Sequence, residues 1–194
     1  MKVLAQQVTA WCNQLYPMER EQEIAVCYGL ELLLENLIKF IGIFLLAGLF
    51  GMADEVAIFC LVFCPFRMLA GGIHMRTGTG CFVFMLALIS ITLFCKEIFI
   101  LDYTIRWCLV FLIAVLCWKY APCDTKKNPI VFEEVRRKKK YFSIIFGLLC
   151  MVVTEWLGTE EIKVLVVSAL FFETLTILPV TDYINENRFK KGEK

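Results

Sequence analysis

The chain has almost no surplus of charge of either sign: 20 lysines and arginines stand against 19 aspartates and glutamates, a formal net charge of +1. Without a basic excess there is nothing to neutralise a run of phosphates, which argues against nucleic-acid binding. Histidine is nearly missing as well, with His74 alone. One histidine and scattered cysteines, none at CxxC or HxxxH spacing, give no metal site, and no cofactor is expected. Polar stretches are scarce. Hydrophobic residues make up 59% of the chain, against about 45–50% in a soluble globular domain, and the mean hydropathy is +0.70. That excess excludes both a disordered chain and an ordinary soluble one. A cleavable leader is not seen either, because polar and charged residues interrupt residues 1–23 throughout.

What is present in quantity is apolar sequence, together with ten cysteines. Cys27, Cys60, Cys64, Cys81, Cys95, Cys108, Cys117 and Cys150 lie in or at the edges of apolar runs, where a thiol behaves as a small hydrophobe. Residues 1–23 carry Trp11, Leu15 and Met18 at helical spacing and read as an interfacial amphipathic helix. Six apolar segments follow, at roughly residues 24–50, 55–70, 81–95, 103–118, 141–154 and 164–181. A full crossing needs about 20 mainly apolar residues. Val56–Phe66 is short for that, and the last segment contains Glu173, so four full spans with two re-entrant segments stand beside six spans. Either way the expected fold is an all-α, polytopic helical bundle in a lipid bilayer, with negligible strand.

Charge placement orients the chain, since cytoplasmic loops retain Lys and Arg. With both termini inside, sixteen of the 20 basic residues fall on the cytoplasmic side, including Arg67, Lys119 and the run Arg136–Lys140. The outer loops hold Asp54, Glu55, Glu97, Asp102, Glu155, Glu160 and Glu161. The basic run reads first as a topogenic cluster, and second as a contact for anionic lipid or an acidic partner. Glu31, Glu35 and Lys39 recur every four residues down the first segment, a polar stripe suited to a structural ion-pair face or to one wall of a binding cavity.

One connection is rich in chemistry. Between the second and third segments runs Cys64-Pro65-Phe66-Arg67-Met68-Leu69-Ala70-Gly71-Gly72-Ile73-His74-Met75-Arg76-Thr77-Gly78-Thr79-Gly80-Cys81, with four of the eleven glycines. On a continuous helix His74 and Cys81 would be roughly 10 Å apart, too far for a hydrogen bond, so a working pair needs a folded loop. Gly78 and Gly80 are placed to double the chain back, with Cys81 opening the next helix. A thiol there faces the positive end of the helix macrodipole, which favours the nucleophilic thiolate. The alternative is an interfacial histidine beside one more packing cysteine.

These residues resemble the AgrB family, the accessory gene regulator protein B of Gram-positive quorum sensing. The loop Arg67-x4-Gly72-x-His74-x6-Cys81 resembles its endopeptidase motif. Tyr120-Ala121-Pro122-Cys123-Asp124-Thr125-Lys126-Lys127-Asn128-Pro129-Ile130 and the basic run after it resemble its central cytoplasmic loop. Glu173-Thr174-Leu175-Thr176-Ile177-Leu178-Pro179 resembles its last span, and Tyr28-Gly29-Leu30-Glu31 its start. The resemblance implies a single membrane-embedded peptidase domain over residues 1–194, with a catalytic cytoplasmic-side loop at 65–81 and a basic cytoplasmic loop at 119–140. It implies a cysteine endopeptidase that removes the C-terminal tail of an AgrD-type propeptide through a Cys81 acyl-enzyme, with His74 as base, and allows thiolactone closure.

Arg67 is then a supporting residue for a tail carboxylate or the oxyanion, or else snorkels to lipid phosphate, and Gly72 is conformational. Glu31, Glu35 and Glu173 are weaker candidates for a group that orients His74. A homodimer is implied by the resemblance alone, since Gly42, Gly48 and Gly51 make no GxxxG face. A peptide transporter and a membrane scaffold without chemistry are the competing functions.

Overall fold

A computed structural model describes residues 2–72, 78–123 and 133–178. Among these it has seven helices: α1 (Lys2–Leu15), α2 (Arg20–Leu49), α3 (Ala53–Ala70), α4 (Gly78–Ile98), α5 (Tyr103–Tyr120), α6 (Glu133–Leu157) and α7 (Glu160–Thr176). No strand occurs among the described residues; an isolated parallel bridge joins Gly71 and Cys123. Four helices, α2, α4, α5 and α6, are long and apolar enough to cross a membrane. The protein is thus a polytopic helical membrane protein, and it divides into two compact units, Met1–Ala53 and Asp54–Lys194.

In the first unit α1 packs on α2, burying Ala5 and Thr9 and leaving Trp11 and Leu15 exposed. The amphipathic helix expected over 1–23 ends eight residues early because Pro17 cannot continue it. Asn13 Oδ1 accepts from the Met18 amide at 2.8 Å, and Gln22 Oε1 accepts from the Glu19 amide at 3.3 Å as α2 begins. At the far end of α2 the chain closes in a Schellman motif: Gly51 has φ +68°, its amide reaches Gly48 O at 3.2 Å, and the Met52 amide reaches Ala47 O at 2.9 Å. On α2 Lys39 Nζ lies 3.8 Å from Glu35 Oε2, the i, i+4 ion pair that the spacing suggests.

The second unit is built around α7, which packs against α4, α5 and α6. Val164, Leu165, Val166, Val167, Ala169 and Leu170 are all buried. A helix buried nearly all round belongs at the centre of a bundle, while α4, α5 and α6 bury single stripes and leave Val83, Phe94, Phe111 and Ile145 exposed. The buried side of α3 is aromatic. Phe59 and Phe63 stack with centroids 4.9 Å apart, and Phe66 Cε2 lies against Gly147 of α6.

Ion pairs fix how far each helix runs. At one end Lys96, in the last turn of α4, lies 3.2 Å from Glu55 in the first turn of α3. At the same end Arg106 of α5 meets Glu155 of α6 at 2.8 Å and Glu160 of α7 at 2.7 Å. At the other end Arg67, in the last turn of α3, meets Glu173, in the last turn of α7. Both α3 and α7 therefore reach from one end of the unit to the other, about 25 Å at 1.5 Å per residue, while the four helices long and apolar enough to cross a membrane are α2, α4, α5 and α6. The first end is acidic; the second carries Arg67, Lys119 and Arg136–Lys140. The expected loop over 119–140 is shorter than its basic run suggests, because α5 continues through Tyr120 and α6 already begins at Glu133.

Candidate active site

The basic end of the second unit gathers the chemistry. Helix α3 continues through Pro65 to Ala70, so Arg67 sits on a helix and not in the loop expected from residue 65. Its Nη1 donates to Glu173 Oε1 at 2.9 Å and to Oε2 at 3.0 Å, and the guanidinium carbon lies 5.8 Å from the Phe63 ring centroid. Glu173 is fully buried. The carboxylate that Arg67 engages in the structure belongs to the chain itself, an arrangement charge-assisted on both sides.

The turn that leaves α3 lies at Gly71 and Gly72, whose φ angles are +77° and +149°. Both values favour glycine, and space requires it too. A Cβ on Gly71 would strike the backbone of Cys123, whose amide donates to Ala70 O at 2.9 Å. One on Gly72 would lie 2.8 Å from Glu173 Oε1, 2.8 Å from Thr176 Oγ1 and 3.0 Å from Arg67 Nη1. Gly78 and Gly80, expected to double the chain back, are instead in the first turn of α4. The chain leaves α3 at Gly71, where the contact with Cys123 admits no side chain.

Cys81 is the fourth residue of α4, half-buried, and is a free thiol. It stands in the first turn of α4, at the end of the unit where the chain leaves α3. His74 lies outside the described residues. Glu31 and Glu35 belong to the first unit, half-buried on α2. The structure therefore unites Arg67, Gly72 and Glu173, and sets Cys81 in the first helical turn as expected.

Three features were not anticipated. The Arg67–Glu173 pairing joins residues 106 positions apart, and its only sequence signal was two opposite charges in apolar helices at the same end of the bundle. Thr176, whose Oγ1 donates to Glu173 O at 2.8 Å, reads as an ordinary helical residue. The Gly71–Cys123 bridge has no signature in either segment.

The sequence profile of accessory gene regulator B matches residues 3–177. A putative AgrB-like protein of Clostridium acetobutylicum is 27% identical over 190 residues, covering 98% of this chain and 91% of its own. Accessory gene regulator protein B of Staphylococcus haemolyticus is 28% identical over 163 residues, with 84% of this chain and 86% of the relative covered. The Staphylococcus aureus protein of that name is also 28% identical, over 168 residues, with coverages of 84% and 86%. No solved structure matches the chain. The match over nearly its whole length means that the chain belongs to the accessory gene regulator B family.

Proposed function

We propose that this protein is a membrane-embedded cysteine endopeptidase of quorum sensing, which cuts an AgrD-type propeptide at the cytoplasmic face. The observation that carries the reading is Cys81, a half-buried free thiol in the first turn of a span-length helix, at the end of the unit that holds Arg67 and Gly72. His74 takes the thiol proton and the thiolate attacks the scissile carbonyl. The C–N bond breaks, His74 returns the proton to the departing amine of the acidic tail, and an acyl thioester remains on Cys81. A cysteine thiol of the propeptide then attacks that thioester, closing a thiolactone and returning Cys81 as the thiol. Excluding water from the acyl-enzyme favours cyclisation over a linear product.

The charge asymmetry of the helix ends supports an orientation with both termini and the site on the cytoplasmic side. Arg67 is a supporting residue and Gly72 a conformational one, and a homodimer in the bilayer completes the proposal.

The test is cleavage of the organism's own AgrD-like propeptide by the purified protein in nanodiscs, read by mass spectrometry for the released tail and for a Cys81 adduct. Cys81→Ala and His74→Ala should both lose the tail product, with adduct forming only when Cys81 is present. Undiminished cleavage by Cys81→Ala would reject the nucleophile. No cleavage by wild type with verified bound propeptide would favour transport or scaffolding.

A further inference from the structure

The buried pair at the ends of α3 and α7 is a costly way to join two helices. Glu173 has no exposure and the Arg67 side chain 17%. Taking two ions out of water forfeits several kcal/mol of hydration each, and well-packed apolar side chains of similar volume commonly hold elements together at least as well. Helix packing alone thus gives no reason for the pair.

Its surroundings supply one. The backbone of Gly72, two residues before His74, rests on Glu173 Oε1, Thr176 Oγ1 and Arg67 Nη1 so closely that no side chain fits between. Thr176 is bonded in turn to the Glu173 carbonyl. The same helix, α7, packs against α4, which carries Cys81 in its first turn. Glu173 is therefore a common reference for two segments: through Arg67 and Gly72 it sets where the His74 segment leaves α3, and through α7 it is tied to the helix that bears the thiol.

We propose that Glu173 is a positioning residue of this site, which fixes Arg67 and the Gly72 backbone so that the His74 segment starts at a set place relative to Cys81. The inference rests on the peptidase reading and adds to it a residue that does not touch the substrate. Its mode of action is geometric, and misplacement of a reacting group by about 1 Å is enough to cost up to about 100-fold in rate.

The experiment compares wild type, Glu173→Gln, Glu173→Asp and the reversed pair Arg67→Glu/Glu173→Arg, each as the full chain in nanodiscs. Three quantities are read: kcat and KM for propeptide cleavage, the pH profile of Cys81 alkylation by iodoacetamide, and thermal unfolding. Glu173→Gln should leave KM within about threefold while kcat falls roughly 10- to 100-fold. Its alkylation profile should shift toward that of His74→Ala, which a helix brace alone would not cause. Glu173→Asp, which keeps the charge but shortens the reach, should recover part of kcat.

Unchanged kcat and an unchanged alkylation profile in Glu173→Gln would overturn the proposal. So would a reversed pair that regains both unfolding temperature and kcat, since that would make the pair a brace only. Should the reversed pair fail to fold, Glu173→Gln and Glu173→Asp still decide. Failure of wild type to cut, or cutting by Cys81→Ala, rejects the peptidase reading itself; a wild type that cuts, an inert Cys81→Ala and a fully active Glu173→Gln reject only the role of Glu173.

Discussion

Gly72 admits no side chain, and this makes it the sharpest probe of the site at the scale of one residue. Alanine there would meet φ +149° and contacts of 2.8 Å to both Glu173 and Thr176. We expect Gly72→Ala to destabilise the protein by about 1–3 kcal/mol, read by thermal unfolding in detergent. Propeptide cleavage should fall more steeply than that loss explains, because the intruding Cβ pushes Arg67 away from Glu173. Cys81→Ser makes the opposite separation. It should unfold like wild type and yet release no tail, since a hydroxyl is a far weaker nucleophile than a thiolate.

At the scale of the element, glycine and arginine give predictions of opposite sign. Gly147 lies inside α6, where a Cβ would meet only Phe66 Cε2 at an ordinary 3.5 Å. Gly147→Ala should therefore raise stability by about 0.5–1 kcal/mol through helix propensity. Arg106, buried in the first turn of α5, holds α6 through Glu155 and α7 through Glu160. Glu155 is nearly buried while Glu160 reaches water, so the cost of Arg106→Met should lie between that of a surface pair and that of a sealed one, about 2 kcal/mol. Chemical denaturation monitored by the tryptophans would measure both variants.

For the whole molecule, the acidic end predicts how stability depends on pH. Hydrogen bonds from its own backbone amide and from Lys96 hold the Glu55 carboxyl below its ordinary value of 4.5. Lys163, and then Arg106, do the same for Glu160 at the start of α7. Carboxylates whose folded values are depressed stabilise the fold above the ordinary value, and this contribution disappears as the pH falls through the lowered ones. Unfolding temperature in detergent should accordingly hold steady from pH 7 to about 5 and fall below that. Glu55→Gln should remove part of the fall.

The sequence by itself determined the class of the protein and the order of its elements. Helices α2 to α7 follow the six apolar segments in order, because a chain in lipid must satisfy its backbone within each segment, and apolar length reports that directly, although α6 begins eight residues before its apolar run and takes in the basic cluster. Charge asymmetry and the place of Cys81 in the first turn of α4 were legible for the same local reasons, although the helix begins three residues earlier, at Gly78. The left-handed turn at Gly71 and Gly72 was not, since Gly78 and Gly80 are equally permissive and the close approach of Cys123 to Gly71 has no signal in either segment. Nor was the pairing of Arg67 with Glu173, two candidates read separately along the chain. Periodicity and composition act over a few residues, whereas which buried charge meets which is set by how helices 106 residues apart pack, and that information exists only in the tertiary structure.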